Sequence, residues 1–271
     1  MTNKNKPATK FFQNEVDDYK KEFYESGYRT FMSVRLDRFL EEINKLSLPV
    51  GSKFLDAGCG PGYMTKAFHD KGYITSALDS SPEMLRLTKL QFELTPEADM
   101  PEFVEGDIEN LPFEDGTFDL VASAGVIEYL SDDKKVLDDF NRILKPGGYI
   151  ILSSTSKYSP IGFFEPIIEA IKRNRLTRNS CNWILKKIGG TPVRPRDFTV
   201  RKHTAQSFVR NAKNSNFKIQ HIGFFYGLPW PHPFDRIFPK ITNYLGKKIE
   251  KFSHTPLRHT FEGIYIVAQK Q

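Results

Sequence analysis

Leu55-Asp56-Ala57-Gly58-Cys59-Gly60-Pro61-Gly62 is the stretch on which the fold turns. A short apolar run ends at an acid, and three glycines follow at alternate positions, so a strand leads through a loop that a ligand can approach closely and into a helix. Working outward, apolar runs of strand length recur at Phe54 to Ala57, Ile74 to Leu78, Phe103 to Val104, Phe118 to Ala122 and Tyr149 to Leu152. Helical stretches are predicted between them at 61–71, 82–92 and 132–144. The second opens on Ser81-Pro82-Glu83, a cap residue before a first-turn proline, and Pro146-Gly147-Gly148 is expected to stop the third. Strands alternating with helices predict βαβ units and a parallel sheet covered on both faces. A further helix is expected near Thr204 and further strands at 217–226 and 261–269.

Before this core, Phe12, Val16, Tyr19 and Phe23 fall at helical spacing, as do Phe31, Val34, Leu36, Phe39, Leu40, Ile43 and Leu46. Two helices follow from that spacing, with Gly27 as the break and Pro49-Val50-Gly51 as the end. The chain therefore divides into an N-terminal helical segment (1–50), an α/β core (51–156), a helical insert (157–203) and the rest of the core (204–271). A second irregular insert near 227–255 contains Pro229, Pro231, Pro233 and Pro239.

Composition narrows the classes. The 271 residues are 39% hydrophobic and 27% charged, an ordinary globular balance that excludes general disorder. No stretch approaches the length of a membrane span, and Met1 to Lys10 lacks the apolar core of a signal peptide. Cys59 and Cys181 are the two cysteines, too few for a disulfide framework, so a reducing cytoplasm is the expected compartment. The net charge of +6 is unevenly placed. Residues 1–156 hold 18 basic against 27 acidic side chains, and residues 157–271 hold 21 against 6. The basic second part suits phosphate, an acidic substrate or an anionic membrane, or is simply solvated.

The loop's spacing argues against a dinucleotide fold, whose third glycine belongs at the position of Tyr63. Asp56 fits a cationic amino group better than a pyrophosphate. Asp79, at the end of the second strand, is placed to accept both hydroxyls of a ribose, or else to cap the helix at Pro82. Further on come Gly106-Asp107-Ile108-Glu109-Asn110-Leu111-Pro112-Phe113 and Leu144-Lys145-Pro146-Gly147-Gly148. With the glycine loop and Leu78-Asp79-Ser80-Ser81-Pro82-Glu83-Met84-Leu85, these give four ordered motifs by which residues 50–155 resemble the class I S-adenosylmethionine-dependent methyltransferases, of the small-molecule type that includes quinone-biosynthesis enzymes.

That resemblance implies a Rossmann-like, seven-stranded, mostly parallel sheet with helices on both faces, an N-terminal helical extension and a helical cap after the fifth strand. It implies S-adenosylmethionine as cofactor, with Gly58, Gly60 and Gly62 beneath the methionine part and Asp56 near its ammonium. Asp79, with Ser80 beside it, would take the ribose, Asp107 and the Ile108 amide the adenine, and Ser123 to Gly125 would lie beside the methionine end. Glu128, Tyr129, His203, Tyr19 and Tyr24 are the candidates for a general base. Related quinone O-methyltransferases place a Glu-His pair where this chain reads Glu128-Tyr129, so no catalytic metal is expected. The acceptor is expected to be small and partly apolar, an anionic group being one reading of the basic insert, whose +8 charge over residues 157–202 also suits peripheral contact with an anionic membrane. Competing readings are an RNA methyltransferase or RNA-binding protein using the basic half, and a nicotinamide oxidoreductase or silent cofactor-binding module. Nucleic acid is the weaker partner, since the Asn-Pro-Pro-Tyr type motif of base methylation is absent after the fourth strand.

Overall fold

A computed structural model describes residues 7–14, 30–187, 195, 198–227, 239–253 and 255–271. Its centre is one seven-stranded sheet in the order β3-β2-β1-β4-β5-β7-β6. The strands are β1 (Lys53–Ala57), β2 (Ile74–Asp79), β3 (Glu102–Glu105), β4 (Phe118–Ala124), β5 (Leu144–Thr155), β6 (Phe217–Phe225) and β7 (Gly263–Lys270). The first five are parallel to one another, and β7 alone runs antiparallel, between β5 and β6. The chain order reverses between β1 and β4, which creates a crevice at the carboxyl ends of those strands.

Period-two patterning covers both faces. Leu55, Val121, Ile150 and Leu152 face one layer with α5 (Asp133–Ile143) and α8 (Ala205–Asn214), whose Val136, Phe140 and Phe208 are fully enclosed. Phe54, Leu120, Ala122 and Ile151 face the other, against α2 (Phe31–Leu46) and α3 (Tyr63–His69) through Val34, Phe39, Ile43 and Phe68. Each such apolar side chain contributes roughly 1.5–3 kcal/mol by leaving water. The helices begin at side-chain caps. Ser81 accepts from the Met84 amide at the start of α4 (Pro82–Leu90), and Asp132 accepts from Lys134 and Lys135 at the start of α5. Thr30 with Ser33 and Thr204 with Ser207 form reciprocal boxes at α2 and α8.

The remaining helices are α1 (Pro7–Asn14), α6 (Pro160–Arg173), α7 (Arg175–Lys187) and α9 (Pro239–Glu250). Two expectations change. The fifth strand starts well before Tyr149: α5 ends at Ile143, ahead of Pro146-Gly147-Gly148 as expected, but the proline and glycines lie inside β5, where the register with β4 shifts between Phe118 and Leu120. The Pro-rich insert near 227–255 is not irregular throughout, because Pro239 opens α9 at a position where its missing N–H costs nothing. The expected break at Gly27, and Tyr19 and Tyr24, lie outside the described residues.

Candidate active site

The crevice at the strand ends is a cleft of two lobes that share Gly58, Gly60, Met32 and Ala124. The larger, about 850 Å³ counting its open mouth, is walled by Leu78, Asp79, Ser80, Met84, Gly106 and Ile108 on one side and by Val126, Tyr129 and Leu130 on the other. The smaller, about 450 Å³, lies between α2 and the glycine loop.

The loop is tied down by its own amides. The N–H groups of Gly58 and Cys59 donate to Leu78 O (2.7 and 3.0 Å), Gly60 N donates to Asp79 Oδ2 (2.9 Å) and Gly62 N to Cys59 O (3.1 Å). Residue 61 is proline, so residues 58–62 keep no amide for a phosphate, in contrast to a dinucleotide loop, which aims them at one. Glycine is required for close approach and for left-handed backbone. At Gly58, φ is +82° and a Cβ would sit 2.4 Å from Val126 Cγ2; at Gly62, φ is +81° and it would sit 2.5 Å from Thr88 Cγ2.

Asp56 lies under the loop, fully buried. Its Oδ2 accepts from Thr65 Oγ1 (2.7 Å), while Oδ1 is enclosed without a hydrogen-bond partner. Burial, reinforced by the nearby Asp79 charge, pushes its carboxyl from 3.8 to about 7 against the Thr65 hydrogen bond. Arg35, from the buried face of α2, lines the same lobe. Its guanidinium sits where a Cβ on Gly125 would be, rests over the Phe31 ring at 5.5 Å and donates to Met32 Sδ (2.6 Å); its charge acts on Asp56, against the upward push of burial. A carboxylate with one oxygen lacking a donor and a guanidinium near it, lining one lobe, complement the ammonium and carboxylate of a free α-amino acid. Arg35 escapes sequence reading because one cation in an amphipathic helix carries no motif.

Asp79 closes β2 in the larger lobe. Besides Gly60 N it accepts from Ser81 N (2.9 Å), and burial raises its carboxyl against those backbone bonds. Asp79 thus lines the lobe and at the same time shapes the helix-entry turn. Ser80 also lines the lobe and bonds Thr9 Oγ1 (3.1 Å) from α1. Phe12 of α1 packs on Met84 and Leu87 and meets Tyr129 edge-on at 5.3 Å. Tyr129 in turn meets Phe198 at 5.7 Å, so an aromatic wall joins three distant segments. Ile108 lines the lobe, whereas Asp107 does not. The Asp107 Oδ1 accepts from Glu109 N (3.0 Å) and shapes the turn that presents Ile108.

Three expected site residues turn elsewhere. Ser123 is buried and donates to Ala57 O (2.9 Å), pinning β4 to β1, and its neighbours Ala124 and Gly125 reach the cleft instead. Glu128 and His203 do not line the cleft. They belong to a buried chain in which Glu128 Oε2 accepts from Thr155 N (2.7 Å), Ser154 Oγ bonds His203 Nδ1 (2.7 Å) and His203 Nε2 bonds Asp133 Oδ2 (2.9 Å). Asp133 also pairs with Arg201 and accepts from Asn211 (3.0 Å). Burial would raise its carboxyl, but the His203 and Arg201 hydrogen bonds and charges hold it below the ordinary range. Ser-His-Asp order alone does not make a nucleophile: Ser154 is 1% exposed, and the network locks the turn 126–130 onto the end of β5. Cys59 is likewise inert, its thiol pushed up by burial and the Asp79 charge. Among the described residues, no three His, Cys, Asp or Glu side chains gather into a metal-ligand set.

Comparison with known proteins agrees with this geometry. Residues 55–152 match the family described as a methyltransferase domain. A malonyl-[acyl-carrier protein] O-methyltransferase of Erwinia billingiae is 40% identical over 106 residues, 39% of this chain and 40% of the relative. A phthiotriol/phenolphthiotriol dimycocerosates methyltransferase of Mycobacterium tuberculosis is 30% identical over 175 residues, 63% of this chain and 62% of the relative. The chain thus spans about two fifths of the first relative and three fifths of the second. Among solved structures, the methyltransferase in complex with the Haloferax volcanii Trm112 activator superposes with a TM-score of 0.59 at 19% identity, over 95% of this chain and 96% of its own, a likeness of fold. Residues 55–152 thus match a methyltransferase domain in sequence, and the chain shares its fold with a solved methyltransferase.

Proposed function

We propose that the chain transfers a methyl group from S-adenosylmethionine to an oxygen or nitrogen, less readily carbon, of a small and partly apolar acceptor. The observation that carries this reading is the pairing of two lobes at one sheet edge. One offers Asp56 Oδ1 and Arg35 to an α-amino acid, and the other offers Asp79 beside the apolar surface of Leu78, Met84 and Ile108 to a nucleoside. The cofactor, when bound, supplies an electrophilic methyl group on a cationic sulfur. The chain's own task is alignment: the glycine loop sets the depth of the methionine end, Asp79 fixes the ribose, and Ala124, Gly125 and Val126 bound the space opposite.

On that acceptor wall Tyr129 is the one ionisable side chain among the described residues, since Glu128 and His203 are held in their own network. Such a wall suits a nucleophile that arrives ready, an oxygen already ionised at neutral pH or an amine kept neutral by its apolar surroundings. The relatives support that chemistry in part, one being named a malonyl-[acyl-carrier protein] O-methyltransferase and the other a phthiotriol/phenolphthiotriol dimycocerosates methyltransferase. The test is to incubate the chain with methyl-labelled cofactor and acceptor panels of acyl carboxylates, acidic phenols and quinols, amines and neutral sugars. Label is expected on the apolar oxygen acids first. Label on neutral sugars alone would overturn the acceptor class, and label on none of the panels would overturn the activity.

A further inference from the structure

Two segments leave the same carboxyl edge of the sheet at which the cleft opens. One follows β5 and carries α6 and α7; the other follows β6, parallel in direction to β5, and carries α9. Both are helical, basic and carry exposed apolar side chains. In α7, Leu176, Trp183 and Ile184 fall at positions i, i+7 and i+8 of one stripe and are 78%, 61% and 51% exposed. In α9, Ile241 and Tyr244 are more than half exposed on one face. The described part of the first segment, residues 156–187, holds seven Lys or Arg against Glu165 and Glu169, the latter paired with Lys172. Residues 239–258 hold five against Glu250, which is paired with Arg38.

We infer that these helices form a docking surface for an anionic phospholipid bilayer, and that it is the rim of the cleft that meets the membrane. Charge complementarity selects the partner, and the side-chain mixture selects it over others. Lys187 Nζ lies 3.7 Å from the centre of the Trp183 ring and Lys248 Nζ 4.5 Å from that of Tyr244, so each cation is stacked on an aromatic ring. That arrangement suits a headgroup boundary, where a ring sits at the interface and the ammonium meets phosphate. Aliphatic Leu176, Ile184 and Ile241 have nothing to gain from an RNA backbone, which rewards cations and flat rings. Among the described residues no helix is long and apolar enough to cross a membrane, so the contact is one of surface helices. It does not depend on which acceptor is methylated.

The experiment is co-sedimentation of the full chain with vesicles of phosphatidylcholine alone and of phosphatidylcholine mixed with phosphatidylglycerol, at low and high salt. Binding to the anionic vesicles alone is expected, together with a blue shift of Trp183 fluorescence in a Trp230→Phe background. Lys186→Gln with Lys187→Gln is expected to lower the partition coefficient about fivefold per charge removed. Trp183→Ser with Ile184→Ser is expected to lower it more than tenfold. Cofactor affinity, titrated in the same variants, is expected to be unchanged, so failure of the methyltransferase reading shows separately in the parent protein. Equal binding to both vesicle types, no binding to either, or undiminished binding by the Ser variant would overturn the inference. So would RNA that displaces the chain from vesicles and binds the Ser variant as tightly as the parent, which would make this a nucleic-acid surface.

Discussion

Replacing Asp56 by Asn separates the cost of a buried carboxylate from its use. Folding takes up a proton at this site, because the folded carboxyl holds it up to about 7 against 3.8 in water. In the cofactor-free parent this site's contribution to stability is therefore complete below 3.8 and is lost as pH rises through about 7, about 4 kcal/mol in all. Asn does not titrate and still accepts from Thr65 through its carbonyl, but its amide group takes the place of Oδ1, where no partner waits, at a cost of about 1–3 kcal/mol. The variant is thus expected to be the more stable protein at about pH 8, by roughly 1–3 kcal/mol, and the less stable one at about pH 4. Thermal unfolding across pH reads this crossover as a few degrees in each direction. Cofactor binding should respond oppositely. An ammonium ion favours the ionised Asp56, so the parent's affinity rises with pH up to about 7, while the variant binds at least about tenfold more weakly with a flat profile. A variant that reproduces the parent's pH slope in both measurements would refute the assignment.

Other perturbations follow from the same geometry. Asp79→Ala removes a carboxylate that both faces the nucleoside lobe and holds Gly60 N and Ser81 N, so calorimetric affinity for the cofactor should fall about tenfold or more; unchanged affinity would reject the ribose role. Gly62→Ala forces a side chain into left-handed backbone 2.5 Å from Thr88 Cγ2 and 2.9 Å from its Cα, and a loss of about 1–3 kcal/mol is expected in denaturant unfolding. Because Glu128 is engaged by Thr155 and Ser154 and is followed by Tyr129, methyl transfer should survive exhaustive chelation. Activity lost to a chelator and restored by magnesium or zinc would make Glu128 a ligand candidate.

What the sequence reveals and what it hides divide along physical lines. Short apolar runs mark each core strand, though β5 begins five residues before Tyr149, because strands buried on both faces need contiguous apolar side chains, as in Tyr149 to Leu152. The glycine loop is legible because close approach to Val126 and Thr88 tolerates no side chain at two of its positions. The direction a side chain takes at a strand end is not legible. Ser123, Glu128 and His203 all sit at the right edge, yet each finds a nearer partner: the Ala57 carbonyl, the Thr155 amide, and Asp133 seventy positions away in the chain. Arg35 is hidden for the opposite reason, since only the packing of α2 over the glycine loop gives that cation its meaning. The same holds for Thr9 and Phe12, which reach the cleft because α1 lies across α4.

The central claim is that the two lobes hold an amino acid joined to a nucleoside rather than a dinucleotide, and titration calorimetry with S-adenosylmethionine and with NADH tests it most directly. Saturable one-to-one binding of S-adenosylmethionine is expected, weakened in parallel by Asp56→Asn, Arg35→Gln and Asp79→Ala, with no heat from NADH. Tight binding of NADH, or an affinity for S-adenosylmethionine indifferent to all three substitutions, would contradict the account.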